Sequence, residues 1–193
     1  ILEEVDRTDR LVDDLLTLAR IDAGQLELRR EPRGLGTLLR AAAERMQPLA
    51  AEGNLTLITD PPDTSCQVLV DSDRIIQAIR ILIDNAIKYT PPGGEIRVSA
   101  SCSDRLATIT VQDTGVGIPT EDIPHIFDRF YRVDRARTRA TGGTGLGLPI
   151  AKAIVEAHGG RISLASQTGV GTLVTIVLPR NAAQATPPST SAT

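Results

Sequence analysis

Aromatic residues are nearly absent from this chain: tryptophan is missing, and Tyr89, Phe127, Phe130 and Tyr131 are the whole complement in 193 residues. A core must therefore be filled by Ala, Val, Ile and Leu, and the four rings need an explanation other than bulk packing. No apolar run approaches the roughly 18–20 residues that a membrane-spanning helix requires, and the N-terminus lacks the basic, apolar and small-residue order of a signal peptide. Lys and Arg number 21 against 24 Asp and Glu, for a net charge of -3, and no long basic block occurs. That balance gives no footprint for wrapping nucleic acid. Cys66 and Cys102 lie in strand-like stretches without a CxxC partner or a nearby ligand cluster. They read as two reduced core thiols of a cytosolic protein, and a zinc site is not expected.

What is present comes in blocks. Residues 1–23 carry Leu2, Val5, Leu11, Val12, Leu15, Leu16, Leu18, Ala19 and Ile21 at spacings of three and four, an apolar stripe too wide for a lone helix and suited to a helical bundle. Its abrupt start at Ile1 suggests the C-terminal part of something longer. Gly24, Pro32, Gly34 and Gly36 mark a linker over 24–36, with a short strand expected at Leu26 and Leu28. After it the pattern predicts a helix at 37–51, strands at 55–59 and 67–70, a helix at 72–89, and strands at 95–102 and 106–112. A Gly- and Arg-rich segment follows over 113–147, then a helix at 146–157 and strands at 161–166 and 172–178. Helices and strands in blocks favour α+β, a two-layer sandwich with helices on one face of a mixed sheet. Residues 181–193 are too polar to pack and are expected to be a disordered tail.

Four segments carry chemistry. Gly142-Gly143-Thr144-Gly145-Leu146-Gly147-Leu148-Pro149 runs glycines straight into an apolar helix, where converging backbone N–H groups and the helix dipole favour phosphate. A Walker loop is excluded, because no Gly-Lys pair exists, and the GxGxxG dinucleotide fingerprint fails at Leu148. Asp113-Thr114-Gly115-Val116-Gly117-Ile118-Pro119 follows a strand, so its carboxylate can accept from an amino group while the glycines bend the backbone around a flat ligand. An Asx turn is the plain alternative. On the long helix, Asn85, Lys88 and Tyr89 share one side of otherwise apolar last turns, and Lys88 supplies a point charge. Finally Phe127-Asp128-Arg129-Phe130-Tyr131-Arg132, with Arg135, Arg137 and Arg139, reads as a mobile basic segment next to the glycines.

In this order, Asn85-x-x-Lys88-Tyr89, Asp113-x-Gly115-x-Gly117, Phe127-x-x-Phe130-Tyr131-Arg132 and Gly143-x-Gly145-x-Gly147 resemble the N, G1, F and G2 boxes of the ATP-binding domain of bacterial sensor histidine kinases. Residues 1–23 are similar to the second helix of that family's dimerisation and phosphoacceptor hairpin. The resemblance implies a Bergerat-type fold over 37–180, shared with Hsp90, gyrase B and MutL. It implies that Asp113 receives the adenine amino group, that Tyr89 covers the ring, and that Gly115, Gly117 and Ile118 line the base site. Asn85 would hold Mg²⁺ between phosphates, Lys88 and Arg132 would neutralise phosphate oxygens, and the amides of Gly143, Thr144, Gly145, Leu146 and Gly147 would cap the phosphate chain. Residues 133–144 would form a lid anchored by Phe127 and Phe130. Asn85, Lys88 and Arg132 would then be catalytic by position and charge alone. His158, before Gly159-Gly160, is read as structural.

Two departures from the pattern stand out. The position one turn before Asn85, usually a second Asn, is Ile81, which removes one metal or phosphate contact. Neither His125 nor His158 sits in a phosphoacceptor motif, so the acceptor histidine is absent from this chain. The resemblance therefore implies the ATP-binding core of a histidine kinase, homodimeric through the bundle helix in its parent. It would serve a response-regulator receiver domain from the cytoplasmic part of a membrane-anchored sensor. A regulatory nucleotide-binding pseudokinase, or another ATPase or serine kinase of the same fold, is the alternative; the bundle helix and the aromatic-arginine box speak against the second.

Overall fold

The structure, a computed structural model, describes residues 15–20, 23, 27–62, 66–133 and 144–180. Of the stretch 1–23, residues 15–20 are helical (α1) and Ala23 lies in a turn; the rest of the expected bundle helix lies outside the described residues, as does the tail 181–193. Leu18 of α1 is buried and joins the domain core, whereas Leu15 and Leu16 are exposed.

The linker stretch contains β1 (Glu31–Gly34), which pairs antiparallel with β3 (Gln67–Val70) in a register running from Glu31 opposite Val70 to Gly34 opposite Gln67. Of the strand expected at Leu26 and Leu28, Leu26 lies outside the described residues and Leu28 is not in a strand; the strand of this stretch is 31–34. Pro32 misled the reading: it removes a donor, but a two-stranded sheet is all edge and tolerates it. The single helix expected at 37–51 is two, α2 (Leu35–Glu44) and α3 (Gln47–Glu52), with Pro48 in the first turn of α3. Proline has no N–H to donate and is accommodated where a helix starts anew.

The remaining elements fall close to expectation: β2 (Thr56–Asp60), α4 (Ser72–Tyr89), β4 (Glu95–Cys102), β5 (Leu106–Asp113), a 3-10 turn at Ile123–His125, α5 (Gly147–Ala157), β6 (Arg161–Gln167) and β7 (Gly171–Pro179). The larger sheet has the order β2-β4-β5-β7-β6, parallel at β2-β4 and antiparallel elsewhere. It is the expected mixed sheet. Alternation along the strands sends Ile96 and Val98, Ala107, Ile109 and Val111, and Val174, Ile176 and Leu178 inward, leaving Arg97, Ser99, Thr110 and Thr175 on the open face. Helices α2, α4 and α5 cover the inner face, burying Leu35, Leu39, Ile75, Ile79, Ile83, Ile150 and Ile154. Each such side chain contributes about 1.5–3 kcal/mol of transfer free energy. None of the four aromatics belongs to this core.

Helix α4 is the spine. Asp71 caps it, Oδ1 accepting from Arg74 N at 3.2 Å, and Ile75, Ala78, Ile79, Leu82, Ile83 and Ala86 bury one face at spacings of three and four. It stops at Thr90, whose hydroxyl donates to the Ala86 carbonyl just before Pro91-Pro92. Among the described residues no helix is long and apolar enough to cross a membrane.

Two sequence readings meet the structure here. Cys66 and Cys102, expected as separate reduced thiols, are joined as a disulfide with Cα atoms 6.0 Å apart. They are 36 residues apart in the chain, and only the packing of the approach to β3 beside the end of β4 brings them together. His158 is buried where α5 ends on Gly159, whose φ is +74°. Its Nδ1 lies 2.7 Å from the Ile154 carbonyl, which can only accept, so that nitrogen carries the proton; Nε2 then accepts from the Asp71 amide at 3.0 Å. Burial is the main cause that holds the His158 pKa below its usual 6.5.

The imidazole is neutral in the fold and takes up its proton more readily when unfolded. Stability should therefore be full above pH 6.5 and fall as pH drops below it. Urea midpoints between pH 8 and 5 check this, and His158→Gln should flatten that dependence.

Candidate functional site

The last two turns of α4 and the end of β5 face one another across the turn at 113–119. Asp113 ends β5 in the same inward alternation as Ile109 and Val111 and is 9% exposed. Its Oδ1 accepts from two amides, Gly115 N at 2.8 Å and Thr172 N at 3.2 Å. No described donor reaches Oδ2. Burial raises the Asp113 pKa from its ordinary value and the two amide bonds pull it back in part. The turn then bends tightly against α4, Val116 N donating to the Tyr89 carbonyl at 3.0 Å. A Cβ at Gly115 would lie 2.6 Å from that carbonyl, and one at Gly117, with φ +69°, would lie 2.1 Å from the Gln167 carbonyl. Glycine is required at both places because backbone passes backbone there.

On the facing side of α4, Asn85 is half-buried, and Lys88 donates to the Asp84 carboxylate one turn earlier. Tyr89 is 45% exposed at the rim. Its phenol pKa is raised by burial, against the pull of the Arg132 charge nearby. Arg132 itself is unusual: its Nε and Nη2 are buried and have no hydrogen-bond partner. A guanidinium in that condition lacks the anion that would compensate its desolvation.

The aromatic segment is anchored from below. Ile126 is buried, and the Tyr131 hydroxyl donates to Asp122 at 2.5 Å. Phe127 lies under the Lys152 ammonium of α5, 5.7 Å from its ring centre. Phe130 is 61% exposed with φ +63°, and its N–H donates to the Gly145 carbonyl at 3.0 Å. This bond ties the aromatic segment to the glycine run. Gly145 needs φ +72°, and a Cβ there would crowd Phe130 and Tyr131 at 3.0 Å. Thr144 Oγ1 accepts from Leu146 N, Leu146 is fully buried, and α5 begins at Gly147 with no side chain capping its N–H groups. Pro149 has no N–H, so the Gly147 and Leu148 amides, which no side chain caps, make the positive end that suits an anion. A Cβ on Gly147 would lie 3.1 Å from Ile81 Cγ2, so the residue that departs from the resemblance fills the space beneath the glycine run. Gly143 and the rest of the expected lid at 134–143 lie outside the described residues.

Of the sequence-predicted residues, the structure links Tyr89 of α4 to Gly115 of the turn and to Arg132, and Phe130 to Gly145 of the glycine run, while Gly147 packs on Ile81 of α4. Two residues stand beside Asp113 that were not expected in the site, although Gly169-Val170-Gly171-Thr172 before the last strand also fits the resemblance. Thr172 sits directly opposite Asp113 in the β5-β7 register, and Ser166 directly opposite Thr172 in the β6-β7 register. An open pocket of about 310 Å³ at this end of the sheet is lined by this row of three and also by Gln112, Ala165 and Leu173, which alternate to the face away from the helices, so it lies behind the row and not against α4. The Gly171-Thr172 pair is visible in the sequence as the start of a strand, but strand pairing alone reveals what it faces.

Residues 70–182 match the family described as histidine kinase-, DNA gyrase B-, and HSP90-like ATPase. The chain belongs to this ATPase family. It is 42% identical over 178 residues to the sensor histidine kinase WalK of Bacillus subtilis, a match covering 91% of this chain and 29% of WalK. The chain therefore spans under a third of that relative. Among solved structures, the Acinetobacter baumannii histidine kinase AdeS superposes with a TM-score of 0.77 at 29% identity, covering 93% of this chain and 82% of AdeS. Full-length ShkA in complex with AMPPNP gives a TM-score of 0.78 at 30% identity, covering 92% of this chain and 36% of ShkA. The fold is that of the ATP-binding domain of histidine kinases, and this ATPase module is their catalytic one.

Gly171 is the tightest point of the site's frame: its φ is +136° and a Cβ would lie 2.0 Å from the Asp113 carbonyl. Gly171→Ala should cost about 2–4 kcal/mol, from backbone strain and overpacking together, read as a lower urea midpoint at unchanged slope.

Proposed function

We propose that this chain is the ATP-binding catalytic core of a sensor histidine kinase, transferring the ATP γ-phosphoryl to a histidine for relay to an aspartate on a response-regulator receiver domain. The observation that carries the reading is the Arg132 guanidinium beside Tyr89, whose Nε and Nη2 are buried without a hydrogen-bond partner, in a domain that also holds the open Asp113 carboxylate and the α5 start that no side chain caps. An amino-bearing ring at one end and a polyanion at the other satisfy all three, and ATP has that shape and charge.

Asp113 Oδ2 accepts from the adenine amino group, and Tyr89 covers the ring, with Gly115, Gly117 and Ile118 forming the backbone wall. Arg132 and Lys88 neutralise phosphate oxygens, Lys88 by turning from Asp84. The amides from Gly143 to Gly147 cap the phosphate chain, and Phe130 anchors the lid at 133–144. Among the described residues no group of three His, Cys, Asp or Glu gathers to hold a metal. Mg²⁺ would accordingly be held mostly by the phosphates, with the Asn85 amide oxygen as the protein ligand, as suits an ion that keeps several non-protein ligands. Phosphoryl transfer asks the protein for positioning and charge neutralisation, which this set supplies without a protein nucleophile.

Within a larger protein, residues 1–23 would complete a dimerising hairpin, 24–36 link it to the catalytic domain at 37–180, and 181–193 trail as a tail. That hairpin would carry the acceptor histidine, pair two copies, and place this part on the cytoplasmic side of a membrane-anchored sensor. The kinship with WalK supports a transfer role over a purely regulatory one.

Two measurements test this. A protein in which a histidine-bearing bundle helix precedes Ile1, incubated with labelled ATP, should acquire acid-labile, base-stable phosphate; label confined to ATP would refute the transfer. Asp113→Asn should lower ATP affinity at least about 100-fold by calorimetry, since it replaces an acceptor with a donor, while circular dichroism stays unchanged. Unaltered affinity would remove Asp113 from the site.

A further inference from the structure

Side chains of Asp113, Thr172 and Ser166 stand in a row across β5, β7 and β6, each directly opposite the next. Ser166 Oγ makes three polar contacts: Ile118 N donates to it at 2.8 Å, it donates to the Gly171 carbonyl at 2.9 Å, and Thr172 Oγ1 lies 2.9 Å away. A serine hydroxyl has one proton and two lone pairs. The Gly171 carbonyl can only accept, so it takes the proton; the Ile118 amide can only donate, so it takes one lone pair. The remaining contact has a single solution, in which the Thr172 hydroxyl donates its own proton to the second lone pair of Ser166.

From this count we infer that Ser166 is a positioning residue that sets which nucleobase the site accepts. By absorbing the Thr172 proton, it leaves the Thr172 hydroxyl with nothing but lone pairs to offer beside Asp113. Asp113 Oδ1 is filled by two amides, and Oδ2 is likewise an acceptor. The row therefore presents acceptors alone to a ligand. Such an edge welcomes an amino group, which has two N–H bonds, directly or through a water. It repels a carbonyl oxygen in the same place, whose lone pairs would face lone pairs. Adenine carries the amino group at that carbon, and hypoxanthine carries the carbonyl. Ser166 itself touches no ligand in this arrangement; it acts through Thr172. The inference rests on the reading of Asp113 as the adenine-binding carboxylate.

The test compares Kd values of Mg-ATP and Mg-ITP for the unaltered chain and for Ser166→Ala by calorimetry. The unaltered chain should prefer ATP by about 100-fold or more. In Ser166→Ala the Thr172 hydroxyl is free to turn and donate, so the ITP-to-ATP ratio of Kd should narrow about tenfold, mainly through tighter ITP binding, and Ser166→Thr should restore it. Equal weakening of both nucleotides, with the ratio unchanged, overturns the inference and leaves Ser166 as a structural clamp while the ATP reading stands. Absence of ATP binding by the unaltered chain overturns both. Should Ser166→Ala lose its circular dichroism signature, Thr172→Val decides instead: it has the same shape without the oriented hydroxyl, so the ratio must narrow, and an unchanged ratio overturns the inference.

Discussion

A carboxylate with one oxygen committed and the other open is the constraint around which this domain is built. Holding Asp113 at the inner edge of the sheet exposes it to a desolvation cost that two backbone amides offset only in part, as its raised pKa records. Those two amides come from different directions, Gly115 on its own turn and Thr172 on the neighbouring strand. Both donors reach it only where backbone approaches backbone more closely than any side chain permits. The glycines at 115, 117 and 171 are the consequence, each blocked by a carbonyl that a Cβ would strike. A region usually described as a flexible glycine-rich turn is in this sense the most sterically determined part of the molecule.

Helix α4 links that site to the rest of the fold. Its N-terminus is held by Asp71, which also donates its amide to His158 at the end of α5 and accepts from Arg29 N in the stretch leading to β1. Its middle supplies the apolar face over the sheet, and its last turns present Asn85, Lys88 and Tyr89. The two ends of α4 thus meet the stretch leading to β1 and the turn at 113–119 through one rigid element. Arg30, donating to the Ala157 carbonyl at 2.6 Å, fastens the same stretch to α5.

Much of this was legible in the chain because periodic burial leaves a mark. The alternation of β4, β5 and β7 and the spacing of three and four along α4 follow from one face of each element being apolar, so their boundaries were read almost to the residue. Where burial was weak, the reading slipped: β1 has no buried residue and is set by its pairing with β3, and the kink between α2 and α3 is hidden in a run of good helix formers. The glycine turns and the polar residues at the end of α4 were legible for a different reason, since glycines and lone polar residues have no cause to sit where they do in an apolar pattern. Thr172 and Ser166 carried no such mark, being ordinary residues of β strands.

The sequence by itself determined the layers, the helix and strand order and the scarcity of rings in the core, because each depends on local preference or on the period of burial. Tertiary structure alone decided what faces what: that Cys66 lies against Cys102, that Ile81 fills the space under Gly147, that Arg132 Nε and Nη2 are buried without a hydrogen-bond partner, and that the Thr172 and Ser166 hydroxyls share a hydrogen bond. Those facts concern pairs distant along the chain, and the register of strands and the packing of helices, which no local pattern encodes, bring them within bonding distance.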